Sequence, residues 1–438
     1  MRETISINNF ADLLAVSRAT VDAWIKKGKY HVHEDKGKRF FYVDELEEVK
    51  EVKSMLHTHW NEEKIVHPLQ RYTSIELFAG AGGLALGMEK AGFHHLLLNE
   101  IDHNACETLR KNRPEWNVVE GDIHEVDFSP LKGKVDFLSG GFPCQAFSYA
   151  GKRLGFEETR GTLFFELARA VKEIQPAVFL CENVKGLLEH DNGRTMETIK
   201  GVISEIGYTL VEPRVLRAIQ YDVPQKRERL IFIAIRNDIA PKVHFEWPDV
   251  CDGVRTLRDA FYKGVLFDRN VPQSQGQQYP ESKRQVMELV PEGGDWRDLP
   301  EDVAREYMKG SYHLGGGKTG MARRLAMDEP SLTLTCAPAQ KQTERCHPIE
   351  TRPLTVREYA RIQTFTDDWH FAGSVSAQYK QIGNAVPVNL AWAVGRSLIR
   401  MFNDISAKGL LDVHDEESNI APCLKLHDLS EGMVCERE

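Results

Sequence analysis

Cys144 closes the run Val135-Asp136-Phe137-Leu138-Ser139-Gly140-Gly141-Phe142-Pro143-Cys144, in which an apolar segment ends in two glycines and a proline fixes the backbone just before a lone thiol. A thiol is the most nucleophilic of the common side chains near neutral pH. A strand-end turn presents it at the edge of an α/β sheet, where ligands bind. The competing reading is a buried structural cysteine. A second strand-like run, Ala177 to Cys181, ends in Glu182-Asn183-Val184. A glutamate at a strand end beside the cysteine strand, held partly desolvated and protonated, is a candidate acid. In Gln225-Lys226-Arg227-Glu228-Arg229 the two arginines alternate. That spacing predicts one face of a strand and an anionic or carbonyl-rich partner.

These groups need a scaffold, and from Tyr72 onward the pattern is one of alternating strands and helices. Ser74-Ile75-Glu76-Leu77-Phe78 reads as a strand, Ala79-Gly80-Ala81-Gly82-Gly83 as a tight turn, and Leu84 onward as a helix. Glycines let backbone approach a ligand closely, and the N–H groups at the helix start favour a carboxylate or phosphate. The next strand ends at Glu100, at the spacing of a ribose-hydroxyl acceptor. The third ends at Asp122, suited to an adenine amino group. Together these predict a mononucleoside cofactor rather than a bare structural turn.

The chain of 438 residues has room for two or three domains. No run approaches the roughly 18 apolar residues of a membrane span, and the N-terminus lacks the apolar core of a signal peptide, so a soluble, cytoplasmic protein is expected. Eight cysteines without a C-x-x-C pair read as reduced thiols, and no metal site is expected. A net charge of −9 argues against nonspecific coating of nucleic acid, although local basic patches remain compatible with it.

Residues 1–52 read as a DNA-binding module. Asn8 or Asn9 caps a first helix and Ser17 a second, with helix-turn-helix spacing, and Lys36 to Val43 forms a basic wing. Arg18 and Thr20 would meet the groove, and Lys38 and Arg39 the phosphates. The segment resembles the winged helix-turn-helix of excisionase and MerR-like regulators. A small helical packing domain is the alternative. Residues 53–70, polar and carrying His57, His59 and His67, read as a linker.

The motifs taken together resemble the DNA (cytosine-5)-methyltransferase family of bacterial restriction-modification systems. Phe78-Ala79-Gly80-Ala81-Gly82-Gly83, Gly141-Phe142-Pro143-Cys144-Gln145, Glu182-Asn183-Val184 and Gln225-Lys226-Arg227-Glu228-Arg229 stand in the family's order, followed by Arg352-Pro353-Leu354-Thr355-Val356-Arg357-Glu358 and Gln381-Ile382-Gly383-Asn384-Ala385-Val386-Pro387. The resemblance covers residues 72 to about 402. It implies an α/β fold: a doubly wound S-adenosylmethionine-dependent catalytic domain (71–236), a smaller target-recognition domain (237–350), and motifs returning to the catalytic domain (351–404). An acidic, poorly ordered tail (405–438) is expected after them. The insert carries Trp247, Trp296, Gly315-Gly316-Gly317 and basic residues including Lys318, Arg323, Arg324, Lys341 and Arg345.

The resemblance also implies roles. Cys144 attacks C6 of cytosine, Glu182 hydrogen-bonds the ring, and Arg227 and Arg229 hold its carbonyl face and the motif loops. Cofactor contacts fall to Phe78, Gly80, Gly82, Gly83, Glu100 and Ile101, then to Asp122, Ile123, Pro143, Asn384 and Val386. Gln145, Ser148 and Gln225 would touch double-stranded DNA. The target base must flip out of the duplex to be reached. A cognate restriction endonuclease is implied as a functional partner, with the enzyme monomeric in catalysis. A tRNA cytosine-5 methyltransferase and a catalytically silent DNA-binding regulator remain as alternatives. Exocyclic-amine methylation is disfavoured, because no Asn/Asp-Pro-Pro-aromatic tetrapeptide is present. The N-terminal module, which the catalytic family does not require, is expected to bind a second DNA site as a separate regulator.

Overall fold

The computed structural model describes residues 2–142, 163–313 and 319–411. Pro143, Cys144, Gln145 and Ser148 lie outside the described residues, as do Gly315 to Lys318 and the tail from residue 412. The chain forms two compact units, Met1–Ile65 with Arg217–Arg227 and Pro248–Ala393, and Val66–Leu216 with Glu228–Trp247 and Val394–Glu438.

In the first unit, β1 (Thr4–Ser6) leads into α1 (Ile7–Leu13), α2 (Arg18–Lys26), β2 (His33–Asp35) and β3 (Lys38–Tyr42). Ser6 and Ser17 cap the helices by accepting from the backbone N–H groups of Asn9 and Thr20, so the first cap is Ser6 rather than Asn8 or Asn9. The strands form an antiparallel sheet in the order β1-β3-β2 over a core that includes Phe10, Val21 and Phe41. The stretch read as a linker is instead structured, with α3 (Lys50–Leu56) and α4 (Trp60–Glu63). Its polar composition concealed one strong anchor: Trp60 is fully buried and donates its indole N–H to Asp222 at 3.0 Å. His57 and His59 pair with Glu47 and Asp249 rather than with each other.

The second unit is built on a sheet. β4 (Tyr72–Leu77), α5 (Gly83–Ala91), β5 (Phe93–Glu100), α6 (His103–Asn112) and β6 (Val118–Glu120) come first. β7 (Phe137–Gly140), α7 (Leu163–Ile174), β8 (Val178–Val184), α8 (Arg194–Glu205), β9 (Tyr208–Leu210) and β10 (Arg214–Arg217) follow, and after β11 (Gln225–Lys226), which belongs to the first unit, β12 (Glu228–Arg236) completes it. The order is β10-β12-β8-β7-β4-β5-β6, with β9 also on β12. β4 to β8 pair in parallel, whereas β12 runs antiparallel to β8 and β9. Every residue of β4 is buried, as a central strand covered on both faces requires. From β4 the chain winds outward through β5 and β6, then returns to β7 on β4's other side. That reversal is a topological switch point, and the loop leaving β4 opens there at the carboxyl end of the strand. This is the doubly wound α/β arrangement expected.

The rest of the first unit contains α9 (Leu257–Phe261), α10 (Glu281–Glu288), α11 (Glu301–Met308), β13 (Ser331–Leu332), α12 (Val356–Ile362) and α13 (Val375–Asn384). α14 (Val388–Ala407) then runs on into the second unit. The short β13 pairs in parallel with β11. The first unit therefore takes in the N-terminal residues and most of the motifs that follow residue 350. Among the described residues, no helix is long and apolar enough to cross a membrane.

Candidate active site

Glu182 stands near the carboxyl end of β8, and Arg229 enters from the antiparallel β12, in register with Val184. Arg229 Nε lies 2.5 Å from Glu182 Oε1, and both side chains are nearly buried. Glu182 thus faces a guanidinium. Asn183 Nδ2 donates to the Phe142 carbonyl at 2.8 Å, while its own Oδ1 accepts from the Val184 N–H. Asn183 thereby holds the backbone that leads into Pro143 and Cys144. A Cβ on Gly141 would fall 3.1 Å from Glu182 Oε2, which is why a glycine stands where the carboxylate meets this turn.

The loop after β4 departs from ordinary backbone at Phe78 (φ +57°), Gly80 (φ +53°) and Gly82 (φ +82°). A phenylalanine held in the left-handed region is uncommon and marks a conformation that its surroundings enforce. Gly83 begins α5. Glu100 organises the loop: one carboxylate oxygen accepts the Gly80 N–H at 2.7 Å, the other the N–H groups of Ile101 and Asp102 at 2.8 Å each. Ile101 is 68 % exposed beside it. Asp122 accepts from the backbone N–H and the imidazole of His124, which hold its carboxyl below the usual range. Ile123 is buried in the core of the second unit.

Sequence reasoning missed the polar layer beneath this loop. Glu76 is fully buried in β4, where desolvation pushes its carboxyl up to about 8 against a 3.3 Å hydrogen bond from Ser139 and one from the Ala85 N–H. Nε2 of His95 donates to the Ala85 carbonyl at 2.8 Å, and its Nδ1 accepts from Ser74 at 3.0 Å. Burial pulls His95 down to about 4. Both sides of the Ala85 peptide in the first turns of α5 are thus gripped from the sheet. The available signal was an acid between Ile75 and Leu77 in the strand that enters the glycine turn.

In the first unit, Arg227 is 1 % exposed and donates to the carbonyls of Leu334 (3.3 Å), Gly383 (3.0 Å) and Asn384 (3.5 Å). Arg227 and Arg229 therefore do not share a partner as their alternation predicted. The strand breaks between them, with β11 ending at Lys226 and β12 starting at Glu228. Gln225 is also corrected. Expected on DNA, it is fully buried, donates to Gln363 at 2.8 Å and accepts the Leu334 N–H at 2.9 Å. Gln363 in turn donates to the carbonyls of Ile382 (2.7 Å) and Ala385 (3.1 Å). A buried amide must satisfy all these groups internally, and Gln363 does so while holding the turn that carries Asn384. Asn384 is exposed, with Cys336 Sγ at 3.3 Å, whereas Val386 is buried.

Three of the residues expected on DNA in the N-terminal module pair with side chains inside it. Arg18 donates to Asn8 at 2.8 Å, Thr20 pairs with Ser17 at 2.8 Å, and Arg39 lies 3.4 Å from Asp22. Lys38 is exposed on β3.

Comparison with known proteins agrees with this architecture. Residues 72–400 match the family model described as C-5 cytosine-specific DNA methylase. Type II methyltransferase M.Eco47II of Escherichia coli is 60 % identical over 411 residues, covering 93 % of this chain and 98 % of that one. Type II methyltransferase M.Sau96I of Staphylococcus aureus is 51 % identical over 342 residues, covering 76 % and 77 %. A crystal structure of an E. coli prophage-encoded protein described as a DNA modification methyltransferase matches with a TM-score of 0.55 at 24 % identity, covering 76 % of this chain and 99 % of that one; at that identity it speaks to fold alone. A chain with this switch point, this paired glutamate and a family match across most of its length belongs to the C-5 cytosine-specific DNA methyltransferases, in company with Type II enzymes of restriction-modification systems.

Proposed function

We propose that this enzyme uses S-adenosylmethionine to methylate C5 of a flipped cytosine within a short, specific site in double-stranded DNA, shielding that site from a cognate endonuclease. The observation that carries the reading is the Glu182–Arg229 pair set against Gly141, three residues before Cys144 in the chain.

Cytosine C5 is a poor nucleophile until a thiolate adds at C6, and Cys144 is suited to that addition. Glu182 would hydrogen-bond N3 and the exocyclic amine as charge builds on the ring. Arg229 keeps the glutamate oriented and offers a cation to the carbonyl face. Loss of the C5 proton and elimination of Cys144 then free the product.

The loop residues fit the cofactor. A Cβ at Gly80 would meet open space, the Glu100 carboxylate is aimed by three backbone N–H groups, and Ile101 offers an exposed apolar face. When bound, S-adenosylmethionine supplies the methyl group. Phe78, Gly80, Gly82 and Gly83 would line its path, Glu100 would hold the ribose, Asp122 the adenine edge, and Asn384 and Val386 would close the site.

Transfer of a tritiated methyl group tests the reading. Duplex DNA should accept label at C5 of cytosine while tRNA should not. Label on tRNA alone, or on an exocyclic amine, would overturn it.

A further inference from the structure

Asp12, in the last turn of α1, places its carboxylate 2.7 Å from the Lys226 ammonium, and Glu329 approaches the same ammonium at 3.7 Å. Lys226 is half of the two-residue β11 and sits between Gln225 and Arg227, the two residues whose contacts reach the 382–385 turn. The N-terminal residues are tied to the same neighbourhood elsewhere. Arg217 donates to the carbonyls of Asp12 and of Leu13, the latter at 2.7 Å, closing groups that a helix C-terminus leaves open. The Asn8 amide meets Glu329, and Asn9 donates to the Asp328 carbonyl at 3.3 Å, on the segment that enters β13. Val250 and Val254 pack against the module's own core, and Thr58 donates to the Val250 carbonyl.

A separate DNA reader on a linker would present solvated surface here. Instead the module shares a core with the rest of the first unit and contributes to it a partly buried ion pair. Burial lifts the Asp12 carboxyl while Lys226 draws it back, so the carboxylate depends on that ammonium. β11 and β13 offer only two paired positions each, too few for ladder hydrogen bonds alone to fix a register.

We propose that residues 1–65 are a built-in brace of the methyltransferase, and that Asp12 is a positioning residue: through Lys226 it fixes β11, and through β11 it fixes the Gln225 and Arg227 contacts that hold the 382–385 turn. The proposal rests on the reading that Asn384 and Val386 close the cofactor site, and adds to it a role for a region the catalytic family does not require.

The test uses the full chain with Asp12→Asn, Lys226→Gln, the double variant and Lys226→Arg. Calorimetry measures S-adenosylmethionine affinity, and amide hydrogen exchange measures protection at residues 382–385 in the free protein. Each single loss should weaken cofactor binding about tenfold and speed exchange at the turn, and the double variant should be no weaker than the worse single, as coupled residues behave. Lys226→Arg should restore both. Single variants that bind and exchange like the parent, or losses that add in the double variant, would overturn the brace. So would a chain starting at Gln70 that folds with full cofactor affinity. If the parent itself fails to bind S-adenosylmethionine, the cofactor reading falls instead, and the exchange data alone decide the brace.

Discussion

Gln225 and Gln363 meet amide to amide at 2.8 Å in a fully buried site, and Gln363 passes the connection on to the carbonyls of Ile382 and Ala385. Gln363→Leu conserves much of the volume but removes the acceptor of the Gln225 NH2 group and a donor from each of the Ile382 and Ala385 carbonyls. Each such loss costs about 1–3 kcal/mol. The variant should melt several degrees lower, and its cofactor affinity should fall more than its DNA affinity. A variant with unchanged cofactor binding and a lowered melting point would make Gln363 a packing residue only.

Glu182 faces Arg229 and not an apolar wall. Its work in the proposed reaction is to hydrogen-bond the activated ring, so Glu182→Gln should lower turnover roughly a hundredfold or more, within the range of a positioned acid or base. Cofactor binding should stay nearly intact. Calorimetry showing cofactor affinity lost along with turnover would move Glu182 into the cofactor site.

The parts legible in the sequence were those with local signatures. The strand-turn-helix of 74–90, the strand-end acids Glu100 and Asp122, and the placing of the Glu182 strand beside the strand that ends at Gly140 follow from spacing and turn chemistry. The extent of the first unit did not, because it depends on contacts between distant segments such as Trp60 with Asp222 and Gln225 with Gln363. Burial of Gln225 was hidden for a related reason. A polar residue in a motif reads as a ligand contact until its partner, far along the chain, is known. Alternation of Arg227 and Arg229 misled because the period-two rule assumes an unbroken strand, and β11 ends one residue before Arg227.

In the proposed reaction Cys144 would form the covalent bond to the ring. Duplex DNA carrying 5-fluorocytosine at the target should trap the enzyme covalently, since fluorine does not leave as a proton does. Cys144→Ala should lose trapping and turnover together. Methylation by that variant at a comparable rate, measured with tritiated cofactor, would refute the nucleophile assignment.

Glu76 gives a pH signature that separates its role from simple packing. Its carboxyl is pushed up to about 8 in the fold, above the ordinary value that the unfolded chain retains. Between those values the folded protein keeps a proton that the unfolded chain has released. Stability from the neutral Glu76 is therefore fully present below the ordinary carboxyl range and lost as pH rises through about 8. Glu76→Gln keeps an acceptor for the Ala85 N–H and has no proton to lose, so its thermal midpoint should gain on the parent's progressively from pH 5 to 9. Because the Ala85 peptide sits in the helix that follows the glycine loop, cofactor affinity in the parent should also fall toward pH 9 more steeply than in the variant. Thermal scans and calorimetry at matched ionic strength read both. Parallel pH profiles for parent and variant would mean that Glu76 is not the group that holds the buried proton.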